Sequence, residues 1–89
     1  LIRSDYTIAE GFGEVIEAEI LPKSSFFNKN IIQMDLPKSI RIGAILRKDN
    51  IIIPNSETVF QENDDVVFFA ETKSIKKLEN LLSIRNTYA

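Results

Sequence analysis

Apolar and polar residues alternate most cleanly over Glu14-Val-Ile-Glu-Ala-Glu-Ile20, with Ile16, Ala18 and Ile20 on one side and Glu17 and Glu19 on the other. A period of two predicts a half-buried strand, and Pro22 stops it. Ser24 or Ser25 is placed to cap a short helical turn, with Ile31, Ile32 and Met34 as its apolar side and Leu36-Pro37 as its end. Ile40-Arg-Ile-Gly-Ala-Ile-Leu46 alternates again, with Ile40, Ile42, Ala44 and Leu46 expected on one face. After a polar turn at 47–50, the run Asn50-Ile-Ile-Ile-Pro54 reads as the returning arm of a hairpin. Its three successive isoleucines predict burial on both faces. Val59 to Gln61 predicts a brief strand, 62–65 a turn, and Val66-Val-Phe-Phe-Ala70 a strongly apolar strand. Thr72 or Ser74 is placed to cap a last helix whose inner face is Ile75, Leu78 and Leu82. The short links favour antiparallel pairing. The expected fold is α+β: a small, mainly antiparallel sheet with a short helix after the first strand and a C-terminal helix.

Composition narrows the function more than the fold. Eighty-nine residues, 44% hydrophobic and 27% charged, suffice for one domain with one modest core. Eleven basic against thirteen acidic residues leave a net charge of −2, without the broad positive field that nucleic-acid binding requires. The chain has neither Cys nor His, which excludes disulfides, thiolate chemistry, Cys/His zinc sites and histidine-based triads. An enzyme is therefore not expected. No apolar run approaches the roughly 18 residues of a membrane span. The chain opens at Leu1, and the expectation is a piece of a longer, intracellular protein. Residues 1–12 read as a linker from a preceding domain, 13–84 as the domain and 85–89 as a tail.

Several phrases, taken in order, resemble the C-terminal subdomain of the regulator-of-K+-conductance family, the TrkA-C domain. They are Glu14–Ile20, Asn30-Ile-Ile-Gln-Met-Asp-Leu-Pro37, Ile40-Arg-Ile-Gly-Ala-Ile-Leu-Arg47, Ile51-Ile-Ile-Pro54 and Asn63-Asp-Asp-Val-Val-Phe-Phe69. The wording is nearest to the version in regulators of Trk-type potassium uptake. Where that family usually has Gly, this chain has Asn28 and Asn63. Both sites are expected to need a left-handed backbone, for which Asn is the best substitute. The resemblance implies a cytoplasmic regulatory and assembly domain, peripheral on the inner face of the plasma membrane. It would pair with itself as a homodimer or higher oligomer and act on a membrane K+ transporter subunit. NAD, NADH or ATP would be held by a separate N-terminal Rossmann subdomain, and no cofactor by this stretch. The alternative it leaves open is a ligand-sensing accessory domain of another cation or anion carrier.

Candidate sites are few, and each has a plainer explanation. By resemblance to relatives that bind cyclic di-AMP, Arg41, Ile42, Arg47, Asn50 and Pro54 form a candidate cyclic-dinucleotide surface; Arg is suited to phosphate. Ordinary hairpin solubility explains the same charges. Glu14, Glu17 and Glu19, or Glu62, Asp64 and Asp65, offer oxygen ligands for a divalent cation, but an exposed strand face and an acidic turn account for them. No metal site is expected. Gly11-Phe-Gly13 lacks the third glycine and flanking elements of a dinucleotide loop. Phe26, Phe27 and Met34 read equally as an exposed sticky patch and as core. The contact with partners is expected from the sheet's exposed edge or from this Phe-rich segment.

Overall fold

The computed structural model describes residues 2–83; the tail expected at 85–89 lies outside them. Five strands form one sheet in the order β1-β2-β5-β3-β4: β1 is Ile2–Ile8, β2 Gly13–Glu19, β3 Ile40–Arg47, β4 Asn50–Ile52 and β5 Asp65–Glu71. Every neighbouring pair is antiparallel. The four-residue α1 (Ile31–Met34) lies between β2 and β3, and α2 (Ile75–Leu82) closes the described chain. The fold is thus α+β, as the pattern predicts. The linker expected at 1–12 is corrected: Ile2–Ile8 is a full strand laid along β2, from Ile2 opposite Ala18 to Ile8 opposite Gly13. Its exposed, mixed composition hides it. An edge strand with little to bury need not alternate cleanly.

One face of the sheet is covered. Ile16 and Ala18 of β2, Val66, Phe68 and Ala70 of β5 and Ile40 and Ile45 of β3 meet Ile20, Phe26, Phe60, Leu78 and Leu82 in a single core. Phe26 stands edge-on to Phe60 at 5.2 Å and tilted against Phe68 at 5.3 Å, a favourable ring geometry. This settles the even split over the Phe-rich segment: Phe26 is fully buried, and Phe27 and Met34 pack partly against the core. Leu78 and Leu82 face inward on α2, with Ile75 beside them, at the helical spacing that predicts them.

Other details depart from the local pattern. The helix cap is Asn30, not Ser24 or Ser25. Asn30 Oδ1 accepts from the Gln33 N–H, and Gln33 Oε1 accepts from the Asn30 N–H, each at 2.9 Å, a reciprocal box that satisfies two free N–H groups. Ser24 instead donates to the Leu21 carbonyl at 2.9 Å. Ser74 precedes α2 but makes no side-chain cap; its hydroxyl meets that of Ser39. Val59 forms a single bridge to Asn30 in place of a strand. Asn28 and Asn63 both adopt the left-handed backbone expected of them, at φ 63° and 70°.

The largest departure lies in β3. Its register against β5 slips between Ile42 and Ala44, so a bulge at Gly43 shifts the alternation by one residue. Ile40 and Ile42 oppose Ala70 and Phe68, but beyond the bulge Ile45, not Ala44 or Leu46, lies opposite the buried Val66. A β-carbon at Gly43 would overlap the ring of Phe69. Glycine is favoured there by close approach, not by torsion, since any side chain would have to displace the exposed Phe69 ring. The isoleucine run is also corrected: Ile51 is 72% and Ile53 75% exposed, and only Ile52 reaches the core.

Candidate functional site

The bulge decides how the candidate residues are arranged. Arg41, opposite the outward Phe69, lies on the uncovered face of the sheet, and Arg47, two residues beyond the buried Ile45, lies on the covered one. They are separated by roughly 20 Å of strand at about 3.3 Å per residue. Arg41 and Ile42 are brought together: both border a cleft of about 380 Å³ whose other wall is Ile31, Ile32 and Asp35 around α1. Arg41 also borders a smaller cleft of about 190 Å³ with Ile8, Phe12, Lys38 and Phe69. Arg41 makes no ion pair among the described residues. Asn50 sits at the far end of the hairpin, where it opposes Arg47, and Pro54 follows β4.

Arg47 is engaged within the fold. Its Nε and Nη2 donate to the two carboxylate oxygens of Asp64 at 2.9 and 2.8 Å, and Nη2 also donates to the Val59 carbonyl at 2.8 Å. Asp64 is fully buried and accepts a further bond from the Gln61 N–H at 2.8 Å. The bond to Asp64 raises the Arg47 pKa above its ordinary value, against the opposing effect of burial. This planar fork is the strong form of ion pair, and it ties the turn before β5 to the end of β3.

The acidic groups separate likewise. Glu19 and Asp65 flank Arg3 of β1, which donates to them at 3.1 and 2.6 Å, and Ser4 donates to Glu17 at 3.3 Å. Glu14 lies on the other side of β2, opposite Ala70. A hydrogen bond with Asp5 raises its pKa, with burial and the nearby charges of Asp5 and Glu79 adding to the effect. Among the described residues no set of three side chains is arranged to hold a metal ion, and no helix is long and apolar enough to cross a membrane.

What the sequence reading missed is the apolar outer surface. Tyr6 and Phe12 are 67% and 64% exposed and share the uncovered side with Ile8, Phe69 and Leu46. Tyr6, Ile8 and Phe12 all lie in the stretch read as linker, and the alternation of Tyr6 and Ile8 was the one signal there.

Two measurements test these assignments. Arg47→Met leaves the buried Asp64 carboxylate uncompensated, and urea unfolding is expected to show a loss of about 3–5 kcal/mol; a loss no greater than for a surface arginine contradicts it. Glu14 binds its proton more tightly folded than unfolded, so its contribution is complete below the ordinary glutamate range and is lost as pH rises through the raised folded value. Glu14→Gln is therefore expected to melt higher than the parent at neutral pH, with the two curves converging in acid. A variant melting at or below the parent at pH 7 contradicts this.

The family model described as the TrkA-C domain matches residues 15–83. The Trk system potassium uptake protein TrkA of Azorhizobium caulinodans is 37% identical over 83 residues, which are 93% of this chain and 18% of that protein. The TrkA homolog of Archaeoglobus fulgidus is 29% identical over 75 residues, 84% of this chain and 17% of its own length. TrkA of Haemophilus influenzae is 27% identical over 84 residues, 90% and 18% of the two chains. The chain spans less than a fifth of the length of these curated relatives.

Proposed function

The chain belongs to the TrkA-C domain family, and from that membership we propose that it is a regulatory and assembly domain of a Trk-type potassium uptake protein. The observation that carries this is the match over nearly the whole described fold, joined to relatives named for potassium uptake. The mechanism is conformational. Subunits repack when a nucleotide, NAD(H) or ATP, binds a Rossmann subdomain outside this stretch. This domain passes the change to a membrane K+ transporter from its cytoplasmic side. Such coupling needs two packings with different contacts, and the exposed outer face of the sheet offers surface for them. Arg47, by contrast, is engaged inside the fold. No reaction is assigned to the domain.

A chimera tests the reading. The matching 83-residue stretch of the Azorhizobium caulinodans protein is replaced by this chain and expressed in cells lacking their own potassium uptake regulator. Growth on limiting potassium is expected from the chimera and not from a version with the stretch deleted. Equal growth from both removes the regulatory role.

Arg41 favours a second, ligand-linked reading within the same role. It borders a cleft with Ile42 and the apolar side of α1, where a guanidinium would hold a phosphate and the isoleucines would flank a base. Calorimetric titration with cyclic di-AMP is expected to show binding that Arg41→Ala abolishes and Arg47→Lys leaves in place. No heat at millimolar ligand excludes this site.

A further inference from the structure

On the uncovered side of the sheet, the smaller cleft beside Arg41 has its cause in the strand register. The row Tyr6, Val15, Phe69 and Arg41 runs across four strands, and the row next to it is Ile8, Gly13 and Glu71. Gly13 brings no side chain to its row, so a gap opens between Ile8 and Glu71. A β-carbon there would come within 2.9 Å of the Ala70 carbonyl oxygen, so the gap is built into the pairing of β2 with β5. Phe12 and Phe69 wall the cleft, and Lys38 and Arg41 border it.

The turn that carries Phe12 is held in place. Ala9, Glu10 and Gly11 all have positive φ, at 50°, 56° and 95°, a strained backbone for the first two. Thr72, just past β5, fixes this turn: its hydroxyl donates to the Gly11 carbonyl and its N–H to the Phe12 carbonyl at 3.1 Å. Other polar groups around the cleft are also taken. The Ser39 hydroxyl meets that of Ser74, and the Ser39 carbonyl accepts from the Glu71 N–H at 2.9 Å. The Glu71 carboxylate lies 3.9 Å from the Lys73 ammonium. Lys38 and Arg41 make no ion pair or side-chain hydrogen bond among the described residues. Two unengaged cations therefore border an apolar slot.

We propose that this cleft binds a small aromatic monocarboxylate, with its ring against Phe12 and Phe69 and its carboxylate on Arg41 and Lys38. The volume of about 190 Å³ suits one ring with a short substituent, since a dry apolar cavity of about 150 Å³ holds benzene. The phenyl walls favour a ring, and a guanidinium takes a carboxylate through two parallel bonds. Two cations less the Glu71 carboxylate leave a single positive charge, which one carboxylate neutralises; a phosphate dianion is opposed by Glu71. A neutral ring would leave both cations without an anion, and a bare anion would gain nothing from the apolar walls. Such a site, mostly apolar with a few convergent polar groups, has the usual make-up of a small-molecule pocket.

The proposal goes beyond the transport role and does not depend on it. It also differs from the cyclic-dinucleotide reading: Arg41 borders both clefts, but Lys38 and Phe12 border only this one and Ile32 only the other. The test is a titration of the isotope-labelled chain with benzoate, read by backbone amide shifts in NMR. Saturable shifts are expected at residues 8–13, 38–41 and 69–71, with a dissociation constant of about 1 mM for so small a ligand. Arg41→Gln is expected to weaken binding about tenfold and Lys38→Gln about threefold; both positions are exposed, so the rest of the spectrum should stay in place. Phe12→Ser is expected to weaken it about fivefold, and Ile32→Ser to leave it unchanged. Benzamide, which has the same shape without the charge, should bind about tenfold more weakly. Benzamide binding as well as benzoate overturns the proposal, as does inorganic phosphate shifting the same amides as strongly. Shifts centred on residues 31–35 also overturn it, and so does the lack of any saturable shift at about tenfold higher benzoate.

Discussion

The buried carboxylate of Asp64 is the constraint on which the arrangement of the strands depends. Its side chain holds the Arg47 guanidinium at the end of β3 and closes its own turn on the Gln61 N–H. Its main-chain oxygen accepts from the Ile20 N–H just after β2, and Asn63 donates back to Ile20. Arg47 then reaches the Val59 carbonyl. One acid and one base thus join β2, β3, the approach to β5 and the loop above the core. A buried pair of this kind adds little net stability against an apolar replacement, but leaving one member alone is costly. Its effect is to specify the positions of the strands relative to one another.

That register has consequences for function. With Asp64 holding Arg47 on the covered side, the Gly43 bulge lets one strand present Arg41 to the open face and Arg47 to the core. The two arginines read together in the sequence therefore have different work. Arg47 belongs to the scaffold. Arg41 stands where a cleft and the open face of the sheet meet.

The apolar residues are likewise divided by the sheet. Phe26, Phe60 and Phe68 fill the covered side and make a core large enough for so short a chain. Tyr6, Phe12 and Phe69, with Ile51 and Ile53 at the β4 edge, remain outside. Exposed apolar area of this extent commonly marks an interaction surface. This suits the assembly role proposed above, because the surfaces that change partners cannot also be those that hold the fold together.

The sequence by itself determined the regular elements. β2, the hairpin of β3 and β4, β5 and α2 follow from periodicity, because a half-buried strand or helix must alternate at its own period whatever it packs against. The left-handed turns at Asn28 and Asn63 were legible through the resemblance to a family that usually has glycine there, whereas Ala9, Glu10, Asp35 and Lys48 adopt the same backbone without such a signal. Tertiary structure decided the rest. Whether residues 2–8 pair with β2, which face Leu46 takes after the bulge, whether Asp64 is a surface acid or a buried one, and whether Ile51 and Ile53 are covered all depend on strands distant in the chain. The candidate surface was therefore legible as residue types but not as an arrangement. A slip of one residue at Gly43 reverses every side chain beyond it, and no local pattern records that slip.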